Sequence, residues 1–215
     1  MIKIAPSIVS APLLTIGSVI KELEIAGADF IHFDIEDGYF VPVMNLGAKM
    51  IKDLRHLTNL PFDVHLMMAQ PEWIIPVMAD YGVDRLSVHY EACPYPRRTL
   101  KKICDHGMQA GLAFNPATPI PDLHFCLPYL SFVVLLTTEP EDWSGDYLPS
   151  VLEKMRENKS KYKHLEWVVD GGVSSENIHQ VWSAGANTVV SGRAVFENNA
   201  IKENIIAMKE KCHNN

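Results

Sequence analysis

Several features that would point to other functions are missing from this sequence. The four cysteines, Cys93, Cys104, Cys126 and Cys212, form no Cys-x-x-Cys pair and no metal-binding spacing. That excludes a zinc ribbon or a dithiol redox motif and leaves reduced, structural thiols. Basic charge is scarce: 19 Lys and Arg face 26 Asp and Glu, for a net charge of −7. A nucleic-acid binder needs a basic patch, so no nucleic-acid partner is expected. No apolar run approaches the length of a membrane span, so no membrane partner is expected either. Met1-Ile2-Lys3-Ile4 leads directly into a strand without a signal-peptide pattern, which makes the cytoplasm the expected location. The first strand is followed by Pro6-Ser7-Ile8-Val9 and not by a glycine-rich loop. This argues against a doubly wound nucleotide-binding sheet.

What is present is an alternation of strands and helices. The chain has 215 residues, 47% of them hydrophobic, as expected of one globular domain. Apolar Ile16, Val19, Ile20, Leu23 and Ala26 recur at helical spacing, and Gly27 stops that helix. Strands are expected at residues 3–8, 31–38, 61–67, 85–90, 109–114, 130–136, 166–170 and 188–191. Helices are expected between them, including a short one from Pro121, one over 174–184 capped by Ser174 or Ser175, and a last one near 200–212. Gly27-Ala28-Asp29, Gly82-Val83-Asp84 and Gly185-Ala186-Asn187 repeat the same helix-to-strand punctuation. Eight strands alternating with eight helices predict an α/β fold, a (β/α)8 TIM barrel spanning residues 1–215.

The stretch Ile31-His32-Phe33-Asp34-Ile35-Glu36 alternates apolar and polar residues. In a strand, His32, Asp34 and Glu36 share one face, and Ile31, Phe33 and Ile35 share the other. Taken alone, a half-exposed edge strand explains the pattern equally well. A barrel changes the balance, because catalytic groups sit at the C-terminal strand ends. His32, Asp34, His65 and Asp170 all fall at such ends. Two imidazoles and two carboxylates suit a divalent cation, with zinc, iron, manganese or cobalt all compatible. Asp34 and Asp170 come from nearly opposite sides of the mouth. One can remove a proton from a carbon beside a carbonyl while the other returns one to the opposite face. A metal on the carbonyl and hydroxyl oxygens would stabilise the enediolate between those steps.

The chain resembles the ribulose-phosphate 3-epimerase family. The matching stretches are Ala5-Pro6-Ser7-Ile8, Ile31-His32-Phe33-Asp34 with Asp37-Gly38, and Asp63-Val64-His65-Leu66-Met67. Val88-His89, Glu91-Ala92, Asn115-Pro116-Ala117-Thr118-Pro119, Val169-Asp170-Gly171-Gly172 and Gly192 with Ala194-Val195-Phe196 follow in order. The resemblance implies a bound divalent metal on His32, Asp34, His65 and Asp170, with Asp34 and Asp170 as the acid–base pair. It implies inversion of C3 between D-ribulose 5-phosphate and D-xylulose 5-phosphate, a substrate hydrogen bond from Ser7, a substrate contact at Met67, and a homo-oligomer. A different ketose phosphate such as a hexulose 6-phosphate, or a non-catalytic sugar-binding barrel, are the alternatives.

Two departures bear on the substrate. Glu36 stands where the family typically has methionine, and by parity it is expected to face the sugar. The loop after the sixth strand carries Glu139, Glu141, Asp142 and Asp146 in place of most of its glycines. Carboxylates repel a phosphate dianion. The phosphate is therefore expected to rest on Gly171, Gly172, Gly192 and Arg193, with Trp143 in a lid over the sugar. Weaker activity on ribulose 5-phosphate than is typical is also expected.

Overall fold

The computed structural model describes residues 2–140 and 146–212. Its centre is a single sheet of eight parallel strands. These are β1 (Lys3–Pro6), β2 (Ile31–Glu36), β3 (Phe62–Met67), β4 (Arg85–His89), β5 (Gln109–Phe114), β6 (Leu130–Leu136), β7 (Glu166–Asp170) and β8 (Thr188–Ser191). Neighbours run β1-β8-β7-β6-β5-β4-β3-β2. A parallel bridge between Ser7 and His32 joins the two ends of that order and closes the ring. The closure therefore falls on two residues of the predicted site.

Strand parity divides the core. Ala5, Ala113, Phe132, Val134, Val168 and Val190 pack with Phe30 as a small cluster of their own. Their neighbours Ile4, Leu112, Val133, Leu135, Val169 and Val189 belong to the large cluster shared with the helices. Alternate residues of one strand thus fill the barrel and the layer around it. At the N-terminal end of the interior, Arg85 lies 4.4 Å from the Phe30 ring centroid and 4.2 Å from that of Phe132. Its guanidinium donates to Glu166 at 3.0 Å and pairs with Asp63 at 3.4 Å. A cation between two rings and two carboxylates is a paired buried charge.

The helices are α1 (Ile16–Ile25), α2 (Ala48–Leu54), α3 (Ile75–Asp80), α4 (Pro96–Asp105), α5 (Leu152–Lys159), α6 (Ile178–Ala184), α7 (Arg193–Phe196) and α8 (Ile201–Glu210). They are not the eight expected. No helix forms from Pro121. The Asp122 carboxylate accepts from the His124 N–H and from the Tyr162 hydroxyl, which fixes a turn. Pro128 then disfavours helical backbone at Leu127. α6 starts four residues later than expected, because Asn177 is committed to the turn after β7. Its Oδ1 accepts from the Ser174 N–H and its Nδ2 donates to the Gly172 carbonyl, each at 2.9 Å. The additional helix, α7, follows β8 directly and places Arg193 at the barrel mouth.

Candidate active site at the barrel mouth

β2 turns His32 and Asp34 inward, β3 contributes His65 opposite Asp34, and β7 ends on Asp170. One donor atom from each of the four lies within 4.8 Å of all the others. His32 Nε2 is 3.2 Å from Asp34 Oδ1 and 3.8 Å from Asp170 Oδ2. His65 Nδ1 is 3.5 Å from Asp34 Oδ1 and 3.6 Å from Asp170 Oδ2. Ligands about one small cation with bonds of ~2.0–2.2 Å stand about 3.3–3.6 Å apart when tetrahedral. His65 Nδ1 is also buried without a hydrogen-bond partner. A buried bare nitrogen facing two carboxylates is what a cation site leaves behind in the protein framework, so these residues fit a divalent metal.

The surrounding groups hold each donor in place. His32 Nδ1 is 2.9 Å from Asp63 Oδ2, a carboxylate behind the imidazole on the adjacent strand. The Ser7 hydroxyl donates to Asp34 Oδ2 at 2.6 Å, leaving Oδ1 toward the imidazoles. The Asp170 carbonyl accepts from the Thr137 N–H at 2.7 Å, tying the end of β7 to that of β6. Burial works against charge on all four of His32, Asp34, Asp63 and His65, but the Arg85 guanidinium beside Asp63 and the attraction among the four outweigh it. Burial would lower His32, yet Asp34 and Asp63 raise it well above its ordinary value. Burial would raise Asp34, yet His32 and His65 hold its carboxyl far below the usual range. Burial would lower His65, yet the carboxylates of Asp170 and Asp34 facing its Nδ1 bring it up to about 8.

A cavity of about 870 Å³ opens over this cluster. Ser7, Asp34, Asp170, Gly171, Gly172, Gly192 and Arg193 all line it. Gly171 has φ +108, and a Cβ there would sit 2.5 Å from Thr138 Oγ1. At Gly192 a Cβ would collide with Ser10. Both positions need glycine for the backbone to reach the cavity wall. Arg193 has no ion-pair partner among the described residues. Glu139 and Glu197 share the wall with it. Glu36 and Met67 are paired across β2 and β3, are buried, and do not line the cavity. Glu36 accepts instead from the Asn45 N–H at 3.0 Å and from Asn45 Nδ2 at 3.2 Å. Glu141, Asp142 and Trp143 of the expected lid lie outside the described residues.

Residues 3–196 match the family model described as the ribulose-phosphate 3 epimerase family. The chain belongs to the ribulose-phosphate 3-epimerase family. It is 43% identical over 201 residues to the ribulose-phosphate 3-epimerase of Bacillus subtilis, covering 91% of this chain and 93% of that protein. With the Escherichia coli K12 enzyme of the same name, identity is 35% over 213 residues, covering 97% and 95%. Among solved structures, 3-hexulose-6-phosphate synthase from Salmonella typhimurium superposes with a TM-score of 0.74 at 13% identity, over 99% of both chains. The tryptophan synthase A-subunit of Pyrococcus furiosus gives 0.70 at 15% identity, over 97% of both. At such identities these two show the barrel fold alone.

For an epimerase-family barrel, three supporting residues escaped the sequence reading. Asp63 carries no assigned role in the sequence, although strand parity puts it on the face of His65 and its pairing with His32 sets it behind that imidazole. Asn45 carries no pattern that ties it to Glu36. Asp37 clamps two loops, accepting from the Tyr39 and Phe40 N–H groups with Oδ1 and from the Ala69 N–H with Oδ2.

Proposed function

We propose that the chain is a metal-dependent epimerase that inverts C3 of D-ribulose 5-phosphate to give D-xylulose 5-phosphate. The observation that carries this reading is the convergence of His32, Asp34, His65 and Asp170 on one point at the floor of the cavity. His32, Asp34, His65 and Asp170 would hold a divalent cation, with zinc, iron, manganese and cobalt all suited to the donor set, and it would supply Lewis acidity to the reaction. Asp34 and Asp170 come from β2 and β7, three neighbours apart in the ring. A planar intermediate between them presents one face to each carboxylate. Asp34 Oδ2, held by Ser7, takes or returns the C3 proton on one face, and the free carboxylate oxygen of Asp170 does so on the other. Gly171, Gly172 and Gly192 bring backbone to the far wall, where Arg193 offers a fork of donors to the phosphate. As the resemblance implies, the working form is a homo-oligomer, which sedimentation equilibrium reads directly.

Glu36 is engaged by Asn45, so its departure from methionine acts on the loop that carries Asn45. A pentulose phosphate therefore remains the favoured substrate over a hexulose phosphate. Initial rates of the metal-loaded chain on both test this. Arg193→Ala is expected to lower kcat/KM on the phosphate ester about 10- to 100-fold, the worth of a charge-assisted hydrogen bond, with little change on unphosphorylated ribulose. A chain that holds its metal and epimerises neither ester contradicts the proposal.

A further inference from the structure

His65 faces the cation cluster with Nδ1, and its other nitrogen leads away from it. Nε2 lies 2.9 Å from Nε2 of His89, a fully buried side chain at the end of β4. The two rings lie nearly parallel, 22° apart with centroids 4.8 Å apart, and a nitrogen–nitrogen approach of 2.9 Å requires one nitrogen to donate and the other to accept. On the far side, His89 Nδ1 is 3.2 Å from Glu91 Oε2. The other carboxylate oxygen, Oε1, already accepts from the Asn115 N–H at 2.9 Å.

The direction of the whole relay follows from its outer end. An ionised carboxylate only accepts, so Glu91 requires the proton of a neutral His89 at Nδ1. His89 then has its lone pair at Nε2 and accepts from His65 Nε2–H. His65 in turn has its lone pair at Nδ1, the nitrogen left bare in front of Asp34 and Asp170. Reversed, the same contacts would put a proton on His65 Nδ1 and close the site. We infer that Glu91, acting through His89, sets the tautomer of His65 and keeps Nδ1 open for a divalent cation. Glu91 and His89 are thus positioning residues, and they do for His65 at two removes what Asp63 does for His32 directly. The inference rests on the four-residue cation site proposed above.

Glu91→Gln is the discriminating variant, because it keeps the shape and removes one acceptor. A single amide oxygen cannot serve both the Asn115 N–H and His89 Nδ1–H. With the oxygen kept at Asn115, the amide NH2 faces His89 and reverses the relay. Zinc affinity of the full chain, measured by competition with a chromophoric chelator, is expected to fall about 10- to 100-fold in Glu91→Gln. The thermal midpoint of the metal-stripped variant is expected to stay near wild type, which a merely structural role would not give. Long-range 1H–15N spectra of the zinc-loaded wild type supply a reading independent of any variant. They are expected to show His65 metallated at Nδ1 and protonated at Nε2, and His89 protonated at Nδ1. Unchanged zinc affinity in Glu91→Gln, or a proton on Nε2 of His89 in the wild type, overturns the relay and leaves the cation site standing. A wild-type chain that takes up no zinc, manganese, iron or cobalt overturns both.

Discussion

Asp34 divides its two oxygens between two tasks. Oδ1 stands 3.2 Å from His32 Nε2 and 3.5 Å from His65 Nδ1, on the side of the proposed cation. Oδ2 takes the Ser7 hydroxyl at 2.6 Å, a charge-assisted bond that fixes the carboxylate plane. Ser7 reaches it because the barrel closes through the Ser7–His32 bridge. Ser7→Ala removes that orientation without touching the cation donors. The expected result is a kcat lower by ~10- to 100-fold, from ~1.5–3 kcal/mol of lost hydrogen bonding, with metal content unchanged. Loss of metal in step with activity would show that Ser7 serves the cation and not the proton transfer. The sequence placed Ser7 in the site by resemblance alone. Its partner could not be read there, since 27 residues separate it from Asp34.

At the scale of elements, β5 and β6 show how tightly the interior is specified. Gly111 on β5 stands opposite Phe132 on β6, and a Cβ at 111 would collide with the Phe132 ring. That ring also covers the Arg85 guanidinium. Gly111→Ala is therefore an overpacking substitution, expected to cost about 1–3 kcal/mol. Urea midpoints of the two metal-loaded chains read this, and equal midpoints would contradict the packing described. Strands were the most legible elements: β5, β6, β7 and β8 occupy the spans that apolar runs and glycine punctuation predict. Helix starts were less so. The segment after Pro121 is held as a turn by Tyr162, 40 residues on from Asp122, and no local periodicity carries that information. α6 likewise waits for Asn177, whose amide serves the turn after β7. Residue parity placed Glu36 on an inward face, but only the fold shows that Asn45 engages it before the cavity is reached.

For the whole molecule, the cation site and the stability of the barrel respond to pH in opposite senses. Without metal, His65 rises from its ordinary 6.5 to about 8 because Asp170 and Asp34 outweigh the cost of burial. A group that binds its proton more tightly when folded stabilises the fold fully below its unfolded value. That contribution, of order 2 kcal/mol, is lost as pH climbs through about 8. His32 is raised as well and acts in the same direction. A cation needs those protons gone, so its affinity rises with pH over the same window. Thermal midpoints of the stripped chain are expected to fall between pH 6.5 and 8.5, while the gap to the loaded chain widens. Parallel curves would contradict the assignment of His65 to the cation. The convergence of His32, Asp34, His65 and Asp170 was legible from the sequence, because strand parity and strand ends fix where a short side chain points. The groups behind them were not, because His89, Glu91 and Asp63 act through contacts between strands. The most direct test of the account follows deuterium at C3 by NMR while metal-loaded chain and ribulose 5-phosphate stand in D2O. Wild type is expected to label C3 of both epimers. Asp34→Asn and Asp170→Asn, with metal content measured in the same tubes, are each expected to stop interconversion and to exchange the C3 hydrogen of one epimer only, a different one for each variant. Interconversion at near wild-type rate in either variant with its metal in place would contradict the two-carboxylate site.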